Sequence, residues 1–219
     1  MAVVPRLWRP SRTGQLRLLA VSCIIAGLGL ILAVAYQLWD PGAAREQHRL
    51  ATELQQQWHQ RPAAGHGYRP IALVTGQPFA FLRIPAFGPR WRFAVVEGTS
   101  LAQLALGPGH VQGTQLPGEP GNFAVAAHDI TAGNPFLHLA SLRRGTSIYV
   151  TTVNGTYRYR VLSESVVRYT DMSVLDPVPG HPGQRAAGQF ITLISCTPVT
   201  LAFTPWRVVV TGALAGSPR

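Results

Sequence analysis

The feature that most constrains the fold is an uncharged apolar stretch near the N-terminus. It runs from Leu18 to Trp39 and contains no charged side chain. As a helix with a rise of about 1.5 Å per residue it reaches about 33 Å, enough to cross a hydrocarbon core of about 30 Å. The sequence therefore predicts a transmembrane anchor over 18–39, followed by a body that folds separately from it.

The residues around this stretch indicate its orientation. Four arginines lie within residues 1–17, whereas Asp40 follows the stretch. Because basic flanks stay in the cytoplasm, 1–17 is predicted to be a cytoplasmic basic tail and the body to be extracellular, in a single-pass protein of the cell membrane. Ala33-Val34-Ala35 also resembles a signal-peptidase site, so a cleaved signal peptide is the alternative. Both interpretations place the body outside the cytoplasm.

Residues 40–77 are predicted to form a juxtamembrane helix and a linker. The first part contains Leu50, Leu54 and Trp58 at four-residue spacing and lacks Gly and Pro from residue 43 to 60. This spacing predicts a short helix with one narrow apolar stripe, which we interpret as a stalk with solvent on most sides. The part over 61–77 is rich in Pro, Gly and Ala, which is typical of a linker.

From residue 78 the pattern changes to short strands separated by turns. The chain holds 22 Gly and 18 Pro, and Asn154-Gly155 is a strong hairpin signal between two apolar segments. The predicted strands are 78–85, 92–98, 123–130, 147–153, 156–163, 165–169, 189–196 and 206–214. Eight strands with only short helices favour an all-β fold, a closed or nearly closed barrel over 78–214 with a tail at 215–219.

Charge and ligand spacing exclude several classes of partner. All 19 basic residues are arginines and the net charge is +10. In the body they are scattered, with Arg143-Arg144 as the one adjacent pair and no long run that alternates with aromatic residues, so no nucleic-acid partner is predicted. A metal site formed by His128, His138 and Cys196 lacks the usual ligand spacings, so neither a metal nor another cofactor is predicted.

Three residues at predicted strand ends could carry chemistry. Cys196 is the only cysteine of the body, because Cys23 lies in the anchor. A lone cysteine is either a reactive thiol or a small buried apolar residue. His128 follows an apolar strand, where a structural histidine is the alternative. Arg207 opens the strand after Cys196, so the two would be close if those strands are antiparallel neighbours.

Together these residue types point to acyl transfer. A Cys196 thiolate would be the nucleophile, and a His128 imidazolium would favour the thiolate and protonate the leaving amine. The guanidinium of Arg207 would hold the substrate carbonyl as negative charge develops on it. Spacing alone does not bring His128 to Cys196, since 68 residues separate them.

Several motifs resemble those of the sortase family. Thr192-Leu193-Ile194-Ser195-Cys196 is similar to the T-L-x-T-C signature, and Arg207 opens a strand as the catalytic arginine of the family does. FAVAAH, which ends at His128, resembles the apolar strand and histidine of sortases. Further stretches resemble the class E sortases of actinobacteria, namely YQLW, FLRIPAFG, WRFAVVEGTS, GPGHVQGTQLPGEPGNFAVAAH and NPFLHL.

The resemblance implies an eight-stranded barrel and a cysteine transpeptidase without an obligatory metal. Such an enzyme cleaves secreted proteins at a C-terminal LPXTG-like signal, or its LAXTG variant, between Thr and Gly. It forms a thioacyl intermediate and transfers the acyl group to an amine of a cell-wall precursor or a pilin lysine, which anchors surface proteins to the cell wall. The resemblance assigns catalysis to Cys196, His128 and Arg207.

The resemblance also implies that Thr192 and Ser195 bind the substrate. The sequence departs from the family pattern at three places. Ser195 stands where the signature has threonine. Asp129 stands where class E sortases usually have arginine, so a modulating role is expected, by raising the pKa of the imidazolium or by binding the guanidinium. The segment between Cys196 and Arg207 is longer and more apolar than usual.

Two further interpretations are kept open. One is a pilin-polymerising sortase, which usually carries a lid with Asp-Pro and an aromatic residue, whereas here Gly42 follows Asp40-Pro41. The other is a degenerate barrel that binds without catalysis, for which Asp129 is the best support.

Overall fold

The structure is a computed structural model that describes residues 12–38, 41–60, 71, 73–197 and 204–216. Most of the predicted basic tail, most of the predicted linker, most of the apolar segment before Arg207 and the last three residues lie outside the described residues. The chain divides into two compact units, and each is described by itself.

The first unit, Met1–Trp39, contains one long helix, α1, over Arg12–Leu38. Its stretch Thr13–Ala33 has a mean hydropathy of 2.3 and is long and apolar enough to cross a membrane, by length and composition. The prediction of an N-terminal apolar helix that is a candidate for a membrane span is thus confirmed, although the helix starts earlier than 18. Its orientation stays a prediction.

The second unit, Asp40–Arg219, contains eight strands and two helices among its described residues. The strands are β1 Pro78–Arg83, β2 Arg92–Glu97, β3 Gly109–His110, β4 Gly121–Ala126, β5 Ser147–Thr152, β6 Gly155–Arg168, β7 Gln189–Thr197 and β8 Trp206–Leu214. The helices are α2 Pro41–Gln60 and α3 Leu101–Leu104, with 3-10 turns at Pro85–Phe87, Leu139–Ser141 and Met172–Leu175.

The strands close into a barrel with the order β1-β2-β3-β4-β7-β8-β6-β5. The β2–β3 and β4–β7 pairs are parallel and the other pairs are antiparallel. The predicted fold class is confirmed.

Three details of the strands differ from the prediction. Segments 156–163 and 165–169 are a single strand, β6, of 14 residues. The strand β3 has only two residues and lies outside the predicted strands. The predicted hairpin exists, but its turn residues are Val153 and Asn154, because Thr152 pairs with Gly155, the first residue of β6. Gly155 has a positive φ of 119°.

The barrel interior is filled by apolar and aromatic side chains. Tyr159 is fully buried, and its hydroxyl oxygen accepts a hydrogen bond from the backbone N–H of Gly118 at 3.1 Å. Burial raises the pKa of Tyr159 far above its usual value. Gly118 has a φ of 87°, and a Cβ there would meet the Tyr157 ring at 2.1 Å. Only glycine lets this loop approach the two tyrosines so closely.

Helix α2 packs against the barrel and is not a free stalk. Leu50 and Leu54 are each 1% exposed. They form a second apolar cluster with residues on the outer side of β1 and β2, namely Phe81, Ala94 and Val96. Burying two leucines contributes about 3–6 kcal/mol, so α2 belongs to the same folded unit as the barrel.

Gln47 explains why α2 lies on this part of the sheet. Its side-chain oxygen accepts a hydrogen bond from Ala94 N at 2.8 Å, and its amide nitrogen donates to Leu106 O at 2.6 Å. Because β3 pairs only with Val96 and Glu97 of β2, the backbone N–H of Ala94 lies where β2 has no strand partner on that side. The glutamine supplies the missing acceptor.

Candidate active site

Strand register places the three predicted catalytic residues in one row across β4, β7 and β8. Ala126 at the end of β4 pairs with Ile194 in the parallel strand β7. His128 and Cys196 each lie two residues further on, so they stand at the same level. On the other side of β7, Cys196 pairs directly with Arg207 of β8. The expected proximity of Cys196 and Arg207 is confirmed, and the row extends to His128.

Hydrogen bonds hold the residue before His128 against β7. Ala127 N donates to Ile194 O at 3.0 Å, which continues the β4–β7 ladder past the last residue of β4. The hydroxyl of Ser195, 3% exposed, donates to Ala127 O at 3.0 Å. The backbone at His128 is therefore fixed from β7, the strand that carries Cys196.

Thr192 also joins neighbouring elements. It is fully buried, and its hydroxyl donates to the side-chain oxygen of Asn122 in β4 at 2.8 Å. The amide nitrogen of Asn122 in turn donates to Val174 O, in the β6–β7 connection, at 3.0 Å. The hydroxyl donors of Thr192 and Ser195 are thus used inside the protein. Their contact with a substrate stays a prediction.

His128 is partly buried at the start of the loop after β4. Burial lowers the pKa of its imidazole, and the carboxylate of Asp129 opposes this shift to a lesser extent. The predicted raising effect of Asp129 is therefore present, but burial outweighs it. The backbone oxygen of His128 accepts a hydrogen bond from Phe136 N at 3.0 Å, which closes the loop onto its own beginning.

Asp129 is buried, with an exposed fraction of 5%. One of its oxygens accepts a hydrogen bond from Ile130 N at 2.9 Å. The other oxygen, Oδ2, is buried and has no hydrogen-bond partner among the described residues. Leaving a buried acceptor without a partner costs about 1–3 kcal/mol. Asp129 Oδ2 is therefore a buried acceptor next to His128 whose lost hydration no hydrogen bond from the described residues replaces.

The loop after Asp129 is also held by α2. Ala132, Gly133 and Asn134 all have positive φ values, of 53°, 80° and 55°. At Gly133 a Cβ would lie 3.4 Å from the Cβ of Ala43, in the first turn of α2. Helix α2 therefore packs against the loop that carries His128 as well as against β1 and β2.

Arg207 is oriented by its neighbours. Its Nη1 donates to Thr204 O at 2.7 Å and to Trp206 O at 2.8 Å. Its Cζ lies 5.9 Å from the centroid of the Tyr169 ring, and Tyr169 N donates to Pro205 O at 2.8 Å, which fixes this tyrosine beside the start of β8. Sequence reasoning missed Tyr169. Its only signal was its place at the end of a predicted strand.

A second acid–histidine pair lies in the core. His110 Nδ1 is 2.6 Å from Glu97 Oε2, and its Nε2 is 3.0 Å from the Thr114 hydroxyl. Both His110 and Glu97 are buried, so this pair links β2 and β3 and is closed to substrate. Among the residues that the structure describes, no group of three or more His, Cys, Asp or Glu side chains could hold a metal ion.

A sortase domain model matches residues 82–215. At the sequence level the chain is 34% identical to Sortase SrtE2 of Streptomyces coelicolor, over 93% of this chain and 85% of the relative. It is 33% identical to Sortase SrtE1 of the same organism, over 87% of this chain. The aligned region spans only 54% of the length of SrtE1.

Solved sortase structures have a similar fold. Sortase E from Streptomyces avermitilis has a TM-score of 0.58 and 35% identity, over 66% of this chain and 93% of the other. The SrtF sortase from Corynebacterium diphtheriae has a TM-score of 0.64 and 28% identity, over 69% and 92%. Sortase E1 from Streptomyces coelicolor, solved with a tripeptide in the active site, has a TM-score of 0.59 and 31% identity, over 67% and 93%.

Proposed function

Because the chain belongs to the sortase family and resembles its class E members, we propose that it is a membrane-anchored cysteine transpeptidase with Cys196 as its nucleophile. The observation that carries this proposal is the row formed by Cys196 on β7, Arg207 on β8 and His128 two residues after the end of β4. Two rigid strands and the hydrogen bond from Ala127 N to Ile194 O hold this row in place, as a preorganised catalytic group requires.

The first half-reaction forms a thioester. The thiolate of Cys196 attacks the carbonyl carbon of the threonine in the sorting signal, and the carbonyl oxygen becomes an oxyanion. Arg207 uses one nitrogen on two backbone carbonyls, and its remaining N–H groups stabilise this oxyanion. The C–N bond to glycine then breaks. His128 gives its proton to the leaving amine, and the acyl group stays on Cys196.

The second half-reaction reverses the proton transfer. The incoming amine attacks the thioester, and the neutral His128 takes a proton from it. The C–S bond breaks, the thiolate of Cys196 is restored and a new amide bond forms. Neither half-reaction needs an oxidant, a metal or another cofactor. Burial lowers the pKa of His128 and so disfavours the protonated form that the first half-reaction requires.

The substrate is proposed to be a secreted protein with an LPXTG-type or LAXTG-type sorting signal. Its acceptor is an amine of a cell-wall precursor or a pilin lysine, and transfer to the precursor anchors the substrate to the cell wall. Support comes from the class E resemblance and from the relative whose active site holds a tripeptide. Helix α1, which is long and apolar enough to span a membrane, supports attachment to the cell membrane. The arginines before it and Asp40 after it support an N-terminus in the cytoplasm.

The proposal is tested with the full chain in a nonionic detergent. A fluorogenic LAXTG peptide is incubated with and without triglycine, and products are identified by mass spectrometry. We expect cleavage between Thr and Gly, with the N-terminal product joined to triglycine when it is present. Cys196→Ala abolishes this activity, whereas the matched variant Cys23→Ala, in α1, retains it. Equal cleavage by the Cys196 variant would refute the proposal.

A further inference from the structure

Four arginines form a row on the outer side of the barrel, away from the candidate active site. Arg92 of β2 pairs directly with Arg83 of β1, and Arg83 pairs with Tyr149 of β5. Tyr149 pairs with Arg158 of β6, and Arg160 follows two residues later on the same face. Directly paired residues lie on one face of a sheet. We call Arg83, Arg92, Arg158 and Arg160 the arginine face.

The guanidinium groups of Arg83 and Arg92 are held over aromatic rings. Arg83 Cζ lies 4.2 Å from the centroid of the Tyr149 ring, and Arg92 Cζ lies 4.1 Å from that of Phe81. Within the described part of the chain these two groups have no hydrogen bond or ion pair. Their edges therefore keep their donors for a ligand, while the rings fix their positions.

The other two arginines are each anchored by one bond. Arg158 Nη2 donates to Ala215 O at 3.0 Å, and Arg160 Nη1 donates to Gly145 O at 2.6 Å. Both side chains are exposed. A guanidinium has five N–H donors, so each group retains donors that point away from these backbone contacts.

No counter-charge lies within this row. Arg83 and Arg92 stand directly opposite each other, and like charges in that position are destabilising. The only acidic residue in β1, β2, β5 and the stretch of β6 up to Arg160 is Glu97, which is buried against His110. Three exposed arginines in nearby turns, Arg90, Arg143 and Arg144, add to the positive charge. A bound anion would offset this repulsion.

The arginine face is separate from the catalytic row. It lies on β2, β1, β5 and β6, whereas the catalytic row lies on β4, β7 and β8. In the closed strand order these two sets occupy different arcs of the barrel. An anion on the arginine face is therefore not the substrate carbonyl or carboxylate of the proposed reaction, and the inference does not depend on that reaction.

We propose that the arginine face binds a linear phosphodiester polymer. Guanidinium groups bind phosphate oxygens through two parallel N–H···O bonds. Strands lie about 4.8 Å apart, so the row from Arg92 to Arg158 extends over about 15 Å. A row of this length suits the successive charges of a chain molecule better than a single anion.

Two observations favour a polymer in solution over a lipid surface or single-stranded nucleic acid. Leu162, two residues after Arg160, is 37% exposed, but β1, β2, β5 and the part of β6 before it expose no other large apolar side chain. The arginine face therefore lacks the several apolar anchors of a membrane-binding surface. The rings of Tyr149 and Phe81 are covered by Arg83 and Arg92, so neither of these two rings is open for a base to stack on.

The test measures binding of a fluorescent poly(glycerol phosphate) to the full chain in a nonionic detergent, by anisotropy at several salt concentrations. We expect the double variant Arg83→Gln, Arg92→Gln to weaken binding about tenfold at physiological salt and to reduce the slope of log K against log salt by about 2. The control variant Arg168→Gln, Arg185→Gln removes the same charge at exposed positions outside the arginine face, at the far end of β6 and in the β6–β7 connection, and changes affinity less than about twofold.

Further measurements separate the possible causes. The double variant to lysine keeps the charge but loses the fork geometry, so it keeps the salt slope and binds with intermediate affinity. The double variant to glutamine is expected to cleave the sorting peptide at an unchanged rate. The Tm of this variant shows whether it is folded. If that variant does not fold, Arg158→Gln with Arg160→Gln replaces it.

Three results would overturn the proposal. Equal weakening by the control variant would assign binding to net charge alone. Unchanged binding by folded arginine-face variants would place the polymer elsewhere. Tighter binding of phosphatidylglycerol vesicles or of single-stranded DNA than of the polymer, lost in the same variants, would assign the face to a lipid surface or to nucleic acid.

Discussion

The packing of α2 on the barrel leads to a quantitative prediction. Leu50 is 1% exposed and lies between α2 and the outer side of β1 and β2. Replacing a fully buried leucine by alanine removes its apolar contacts and leaves a cavity, which costs about 3 kcal/mol. In a unit of this size each kcal/mol lowers Tm by about 2–4 °C. Leu50→Ala should therefore lower Tm by about 6–12 °C.

The measurement is thermal unfolding of the full chain in detergent, followed by near-ultraviolet circular dichroism, which reports the packing of the aromatic barrel. Leu101→Ala is the matched control, because Leu101 is 82% exposed and its loss should change Tm by less than about 1 °C. A change below about 2 °C for Leu50→Ala would mean that α2 contributes little to the barrel. The interpretation of α2 as a free stalk would then be restored.

Three further predictions concern the loop and strand contacts. Asp129→Asn removes the charge that raises the pKa of His128, so that pKa falls further. In a pH profile of kcat/KM the acidic limb, which follows the pKa of His128, moves to lower pH. The plateau of kcat/KM falls by the same factor as the acid dissociation constant of His128 rises, because less of the enzyme carries the protonated imidazole. An unmoved limb would contradict this. Ser195→Ala loses one buried hydrogen bond worth about 1 kcal/mol, so Tm falls by about 2–4 °C while kcat/KM falls about tenfold. Gly118→Ala is strained at φ 87° and meets the Tyr157 ring, so calorimetry should give a Tm lower by about 4–8 °C.

The barrel was predictable because its strands carry local signals. Runs of Val, Ile and Phe between turn residues mark most strands, and Asn154-Gly155 marks the hairpin. The short strand Gly109–His110 has no such signal, since two residues show no alternation. The polar residues Ser163 and Ser165 hid the continuity of β6, which is exposed along this part. The predicted number of eight strands agrees with the structure only because two errors cancel. The strand β3 was not predicted, and β6 was predicted as two strands.

Long-range contacts were less accessible from the sequence. The stripe of Leu50 and Leu54 predicted a helix with one apolar face, but a periodic stripe does not identify what covers it. Sequence spacing did not bring His128 to Cys196 either, because parallel pairing of β4 with β7 joins residues that are distant in the chain. The family resemblance supplied that link. The orphaned oxygen of Asp129 depends on burial, which no sequence pattern reports.

The most direct test of the central claim is to trap the acyl group on the enzyme. The full chain is mixed with an LAXTG peptide without an added amine, quenched in acid and analysed by intact and peptide-level mass spectrometry. The account predicts a thioester adduct of the N-terminal half of the peptide on Cys196, released as the triglycine amide when triglycine is added. Absence of an adduct during turnover, or an adduct on another residue that persists in Cys196→Ala, would contradict it.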